Sequence, residues 1–199
     1  VGSYVGNATD NQDKIISPAF QPIMVSVKED SATSSAGQWR GNHTGDLTSS
    51  WTSAAEAANS IQQYNSDGYQ IGTFPDINEN LKDHYYFAFK SITNYTLAGN
   101  FTGDGLDNKA ITVGFQPDFV LIKGNSATAS AVLRFASMAG DLSCSVTTAA
   151  CTTNQLQSLD ANGFTTGSAT NVNENTVTMR WFAVKTPAYR RPAQVMFLD

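Results

Sequence analysis

Charge is scarce in this chain: 15% of its 199 residues are Asp, Glu, Lys or Arg, and the net charge is −5. A nucleic-acid partner would need a basic face, so that class of partner is excluded. Histidine and cysteine each occur only twice. No apolar run approaches the length of a membrane span, and no signal-peptide pattern opens the chain, so no membrane partner is expected. The G-x-S-x-G, H-E-x-x-H and P-loop patterns are missing as well, and with them the common hydrolase, zinc-protease and nucleotide sites. What abounds is Ser, Thr, Asn and Gly, a composition that fits a β-rich extracellular protein better than a cytosolic helical enzyme.

The chain also repeats itself. Laid without a gap over residues 106–185, residues 11–90 are identical at 29 of 80 positions. Unrelated sequence would give about five such identities, so a tandem duplication is read. Phe20-Gln21-Pro22 lies over Phe115-Gln116-Pro117, Gly45-Asp46-Leu47 over Gly140-Asp141-Leu142, and Asn78-Glu79-Asn80 over Asn173-Glu174-Asn175. The expected organisation is two homologous domains, 1–92 and 93–185, followed by a tail, 186–199. A period near 95 residues suits a small independent domain and is too long for the common solenoids.

Strands dominate the local pattern. "IMVSVK" and "DFVLIK" are apolar, β-branched and end on Lys, while "HYYFAFK" and "MRWFAVK" alternate with period two. Proline cannot donate to a ladder, so Pro22 and Pro117 belong at strand starts, with Phe20 and Phe115 packing inward at a corner. Ser66-Asp67-Gly68 and Ala161-Asn162-Gly163 read as hairpin turns whose glycine supplies a positive φ. Residues 53–61 carry a capping-box spacing, Ser53 to Glu56, but their counterpart 148–156 is β-branched. A surface loop with at most one helical turn is therefore expected there.

Few residues offer chemistry. His43 and His84 occur in the first repeat only, opposite Met138 and Met179, so a histidine-based hydrolytic site would be missing from the second copy. They read as incidental surface or strand residues, and no catalytic residue is assigned. Asp10 and Asp13, and Asp104 and Asp107, resemble loose calcium loops without the closing bidentate Glu. Ordinary turn chemistry, in which Asp and Asn bond their own backbone, is the preferred reading, so no metal or other cofactor is expected. Cys144 and Cys151 stand where the first copy has Ser49 and Glu56. A pair present or absent together points to a disulfide stapling the loop in an oxidising compartment. Trp39 and Trp51, aligned with Arg134 and Val146, are candidate platforms for a sugar ring or a protein partner; a satellite cluster under their loop is the other reading. Four N-x-S/T sequons, at Asn7, Asn42, Asn94 and Asn100, are about what such a composition gives by chance.

The tail "TPAYRRPAQVMFLD" has no counterpart inside the repeat. Its apolar Val195, Met196, Phe197 and Leu198 are read as an assembly strand that adds to a sheet edge.

The order G-N, then F-Q-P followed by a β-branched run to Lys, then D-G or N-G with an aromatic, then a closing aromatic-Ala-apolar-Lys strand resembles a β-domain of tailed-bacteriophage structural proteins. The resemblance covers most of the chain, with Pro117-Asp118-Phe119-Val120 and Lys123 carrying it best; Ile23 departs from it. It implies an all-β fold of two tandem β-sandwich domains, jelly-roll or lectin-like, and a non-enzymatic virion role in capsid decoration or in a tail or fibre. Its partners would be other virion proteins and further copies of itself. A receptor- or carbohydrate-binding module recognising host-surface glycans, or an extracellular filament subunit, are the alternatives.

Overall fold

A computed structural model describes residues 1–31, 37–126 and 128–187. The first half forms β1 (Gly2–Val5), β2 (Gln12–Ile15), β3 (Pro22–Glu29), β4 (Gln38–Arg40), β5 (Ser49–Ser50), β6 (Ile61–Asn65), β7 (Gly68–Ile71), a one-turn helix α1 (Pro75–Asn78) and β8 (Asp83–Lys90). The second half forms β9 (Thr96–Thr102), β10 (Lys109–Thr112), β11 (Phe119–Gly124), β12 (Val132–Phe135), β13 (Cys144–Ser145), β14 (Leu156–Asp160), β15 (Gly163–Thr166), α2 (Thr170–Asn173) and β16 (Thr178–Val184). The protein is all-β and every strand pairing is antiparallel.

Each half contains one five-stranded and one three-stranded sheet. Their orders are β1-β8-β3-β4-β5 with β2-β7-β6, and β9-β16-β11-β12-β13 with β10-β15-β14. Adding eight to each strand number of the first half reproduces the second. Within a half the two sheets pack face to face. Val25 and Val27 of β3 meet Ile61, Tyr69 and Ile71, and Val120 and Ile122 of β11 meet Leu156 and Phe164.

Side chains one residue along face the other way, because the strand period is two. Met24 and Trp39 of the first half thus pack on Leu121, Ala131 and Phe182 of the second. The five-stranded sheets stand back to back, giving four layers in the order three, five, five, three. Burial on both faces explains why β3 and β11 read as continuous apolar runs.

Phe115 is buried and Phe20 half-buried, each against its own half's core. Pro22 opens β3, and Pro117 lies two residues before β11. Residues 53–61 are a loop up to Ile61, where β6 begins. The helical turns α1 and α2 were not anticipated from the sequence.

The hairpin glycines correct an expectation. Neither Gly68 nor Gly163 has a positive φ. A Cβ at Gly68 would lie 2.0 Å from the Lys14 carbonyl oxygen, and one at Gly163 would lie 1.9 Å from that of Ile111. Close approach of the neighbouring strand is what demands glycine there.

The ungapped alignment also slips by one residue in the β3–β4 hairpin. Arg40 pairs with Val25, and Arg134, not residue 135, pairs with Val120. Arg40 donates to the carbonyls of Leu47, Gly45 and Ile61. Arg134 donates to those of Leu142, Gly140 and Leu156, each ninety-five residues later. The structural counterpart of Trp39 is therefore Leu133, and that of Arg134 is Arg40. A slip of one residue exchanges the two faces of a strand, which is why Trp39 was set against an arginine.

Candidate functional site

The seam between the five-stranded sheets is where the halves differ. Arg180 on β16 points into it and is met by a first-half loop. Its Nε donates to Glu56 Oε1 at 2.8 Å, its Nη2 to Glu56 Oε2 at 3.3 Å, and its Nη1 to the Asn42 carbonyl at 2.8 Å. Lys123 on β11 is fully buried and its ammonium donates to the carbonyls of Ala54, Gly124 and Ser126. The Glu56 backbone donates to Asn125 Oδ1. A loop that looked like surface thus straps the first half onto the second. Burial lowers the Lys123 pKa to about 8, against the opposing pull of Glu56 and Glu174.

His43 sits in the same cluster, buried, so it is not a surface residue. The Gly41 N–H donates to its Nδ1 at 3.0 Å, so in the neutral ring the proton is on Nε2, which donates to Ser49 Oγ at 2.9 Å. Ser49, His43 and Glu56 share a neighbourhood but are not wired as a nucleophile triad. The free lone pair faces a backbone N–H, and Glu56 lies 3.7 Å from the same Nε2 that faces the serine. Burial pushes the imidazole down to about 2, helped by the charges of Arg180 and Arg40. Glu56 would favour a charged ring, but Arg180 already engages its carboxylate. His84 is also buried, in β8, stacked on Tyr4 with ring centroids 5.1 Å apart, and burial lowers its pKa.

The aspartate loops perform turn chemistry. Asp104 accepts from the Leu106 N–H and pairs with Lys109 at 2.6 Å, which holds its carboxyl down to about 2. Asp10 accepts from the Asn11 N–H and from Gln62, and Asp13 from Asn65. Asp107 accepts from Gln157. No group of three or more metal-ligating side chains occurs among the described residues. The repeated Asn-Glu-Asn stretch has a structural function that sequence reading missed. Asn78 and Asn173 are buried at the ends of α1 and α2. Asn78 accepts from the Asn7 N–H and donates to the Thr9 and Gly72 carbonyls. Asn173 accepts from the Asp104 N–H and donates to Leu106.

Cys144 and Cys151 form a disulfide. It closes the loop that corresponds to the first-half strap, in the positions held there by Ser49 and Glu56. Residues 147–154 of that loop are exposed. The seam face of the first half is open in consequence. Arg180 is 5% and Phe182 1% exposed, whereas their counterparts Tyr85 and Phe87 on β8 are 54% and 38% exposed.

Trp39, one of the two candidate platforms, is fully buried in the seam with Met24 and Phe182. Trp51 is half-buried and its indole donates to Ser26 Oγ. One of its edges lines an open cleft of about 290 Å³ together with Phe87 and Phe89 of the first half and Phe119, Phe135 and Phe182 of the second. Every lining side chain is apolar. Phe89 lies tilted against Phe182 with centroids 4.9 Å apart, and Phe119 lies tilted against Phe135 at 5.1 Å. Met24, Leu121 and Val184 complete the wall, Val184 being the last residue of β16. Val195, Met196, Phe197 and Leu198 lie outside the described residues.

A family described as a domain of unknown function, DUF7483, matches residues 91–187, the stretch from just before β9 to the last described residue. No curated protein and no solved structure matches the chain.

Proposed function

We propose that this chain is a non-enzymatic structural protein that makes protein–protein contacts in a larger extracellular assembly. In this reading, two homologous β-sandwich domains, 1–92 and 93–185, arose by duplication and became welded through their five-stranded sheets. The shared strand order and the ninety-five-residue spacing of the arginine contacts support the duplication. The disulfide suits an oxidising setting, such as a released particle. The phage-protein resemblance names the setting, a capsid decoration or a tail or fibre of a virion, with a jelly-roll-like sandwich as the fold.

One observation carries the function: the cleft at the seam is built from aromatic and aliphatic side chains of both halves, with no polar group in its lining. Sugar sites pair an aromatic platform with hydrogen-bond donors and acceptors that fix the hydroxyls, so a wall of this kind suits apolar protein side chains better than a glycan. The buried Ser-His-Glu neighbourhood is spent on holding the strap. A glycan array probed with the full chain, beside sedimentation of the chain with its native assembly, separates the two readings. Co-sedimentation without array binding is expected. Array binding abolished by Phe87→Ala would replace this reading with the carbohydrate one.

A further inference from the structure

We propose that β9 pairs with β9 of a second copy of this chain, antiparallel about a two-fold axis at Gly99, so that the five-stranded sheets of two second halves continue into each other. This rests on the structural role proposed above and names the partner.

β9 is an outer strand of its sheet, and among the described residues it pairs with β16 alone. Beyond its two ends the Gly103 N–H donates to the Val177 carbonyl and the Lys185 N–H to the Tyr95 carbonyl, so the odd-numbered residues of β9 bond to β16. Antiparallel ladders alternate, which turns the N–H and C=O groups of Ala98, Asn100 and Thr102 outward. No hydrogen bond among the described residues reaches any of those groups. An open edge of this kind is a template for another strand, and the other outer strands are protected against that. β5 and β13 have two residues each, and β1 has four. β2 and β10 carry Lys14 and Lys109. The pairings of β6 with β7 and of β14 with β15 are broken by register shifts. β9 has seven residues in unbroken register, without a charge or a proline.

The strand is chemically self-complementary. Thr-Leu-Ala-Gly-Asn-Phe-Thr reads hydroxyl, apolar and small up to Gly99, then small polar, apolar and hydroxyl. A two-fold axis at Gly99 sets Thr96 opposite Thr102, Leu97 opposite Phe101, and Ala98 opposite Asn100 of the second copy. Ala98 and Asn100 then exchange both backbone bonds, and Thr–Thr and apolar–aromatic pairs are favourable across strands. Leu97, which is 38% exposed, gains the aromatic ring as cover. Identical chains also carry the same net charge, −5 each, so a self-contact belongs where charge is absent, as it is along this strand.

There is room beside the edge. At Leu97 and Ala98 the surface is indented by about 310 Å³, with Gln21, Ile23, Gly41 and Asn42 of the first half on the far side. The indentation continues the seam, since Ile23 and Ala98 pack against the same cluster. Directly opposed side chains share a face, so Asn100 of the second copy projects beside Ala98, on the side of the polar Gln21 and Asn42. The contact is isologous and closes at two copies.

The test is sedimentation equilibrium of the full chain and of three variants at Asn100, an exposed residue. Asn100→Pro removes an outward N–H at a position where an edge strand accepts proline. Asn100→Lys and Asn100→Glu each place like charges on diagonal neighbours across the axis, about 7–8 Å apart. The wild type should dimerise, and each variant should associate roughly tenfold or more weakly. An equimolar mixture of Asn100→Lys with Asn100→Glu should regain association, because opposite charges then meet. Near-UV circular dichroism is the fold control. Hydrogen exchange of the wild type gives an independent reading, since residues 96–102 should exchange more slowly as protein concentration rises. A monomeric wild type, a dimer indifferent to the variants, a mixture no tighter than its components, or exchange at 96–102 that ignores concentration overturns the proposal. So does association that runs on beyond two copies, as β9 meeting β1 of the next copy would give. If the chain nonetheless co-sediments with its native assembly, the structural role stands and only the strand pairing falls.

Discussion

Replacing His43 with methionine, the residue found ninety-five positions later, isolates one proton. In the unfolded chain the imidazole titrates near its ordinary 6.5, while in the folded protein burial and two arginines hold it near 2. Below pH 6.5 the unfolded state therefore binds a proton that the folded state refuses. Stability falls with pH across that whole window, by about 1.4 kcal/mol per unit. At pH 4.5 the loss from this residue alone is about 2.7 kcal/mol. His43→Met removes the titration but also the contacts to Ser49 Oγ and the Gly41 N–H, a pH-independent cost of about 1–3 kcal/mol. The variant should thus be less stable at pH 8 and should reach or overtake the wild type near pH 4.5. Urea unfolding followed by tryptophan fluorescence, repeated from pH 8 to 4.5, reads the difference. The carboxylates and His84 titrate in both proteins and cancel. Parallel stability curves would refute the reasoning, because a parallel offset means that His43 carries no proton linkage.

The other expectations concern the same seam and its staple. Glu56→Gln leaves Arg180 buried without its anion and should cost about 3–5 kcal/mol, whereas the double change with Arg180→Met should recover much of that; equal losses would show that the pair is not coupled. Lys123 has a folded pKa of about 8 against an ordinary 10.5, so the unfolded chain holds the extra proton between those values. The Lys123 contribution to stability should rise by about 3 kcal/mol as pH climbs through that window, read as the difference between the wild type and Lys123→Met, in which the opposing titration of the buried Tyr4, Tyr64 and Tyr69 cancels. Replacing both Cys144 and Cys151 with serine opens an eight-residue loop, 144–151, and should cost about 2.5 kcal/mol on the chain-entropy account. Alkylation of the native protein without reductant should label neither cysteine.

Much of the fold was legible because it rests on period two and on repetition. β3, β8, β11 and β16 announce themselves as apolar or alternating runs, and their recurrence ninety-five residues apart pointed to a repeated order. The site was legible in one part only. Cys144 and Cys151 gave their pairing by being present together. Trp39 misled because a one-residue shift, compensated between Arg40 and Gly45, places it opposite Leu133 and turns it into the seam. A local offset of ninety-four aligns Arg40 with Arg134 and would have revealed it. The strap escaped notice because its buried partner, Arg180, lies 124 residues away, and a polar loop has no pattern that foretells such a contact. The glycines of the hairpins were assigned the wrong cause, since close approach by β2 and β10 is a tertiary fact. The back-to-back packing of the two halves likewise has no local signature; the apolar character of β3 and β11 on both faces was the available clue.

The structural role is tested most directly by finding where the chain resides in its source. Density-gradient fractions of native material, digested and quantified by mass spectrometry against a labelled standard peptide from β11, give its distribution and copy number. The account predicts that the chain bands with assembled particles at a fixed stoichiometry and stays there after a high-salt wash, as an apolar contact should. Recovery in the free soluble fraction, with no particle-bound pool, would contradict it.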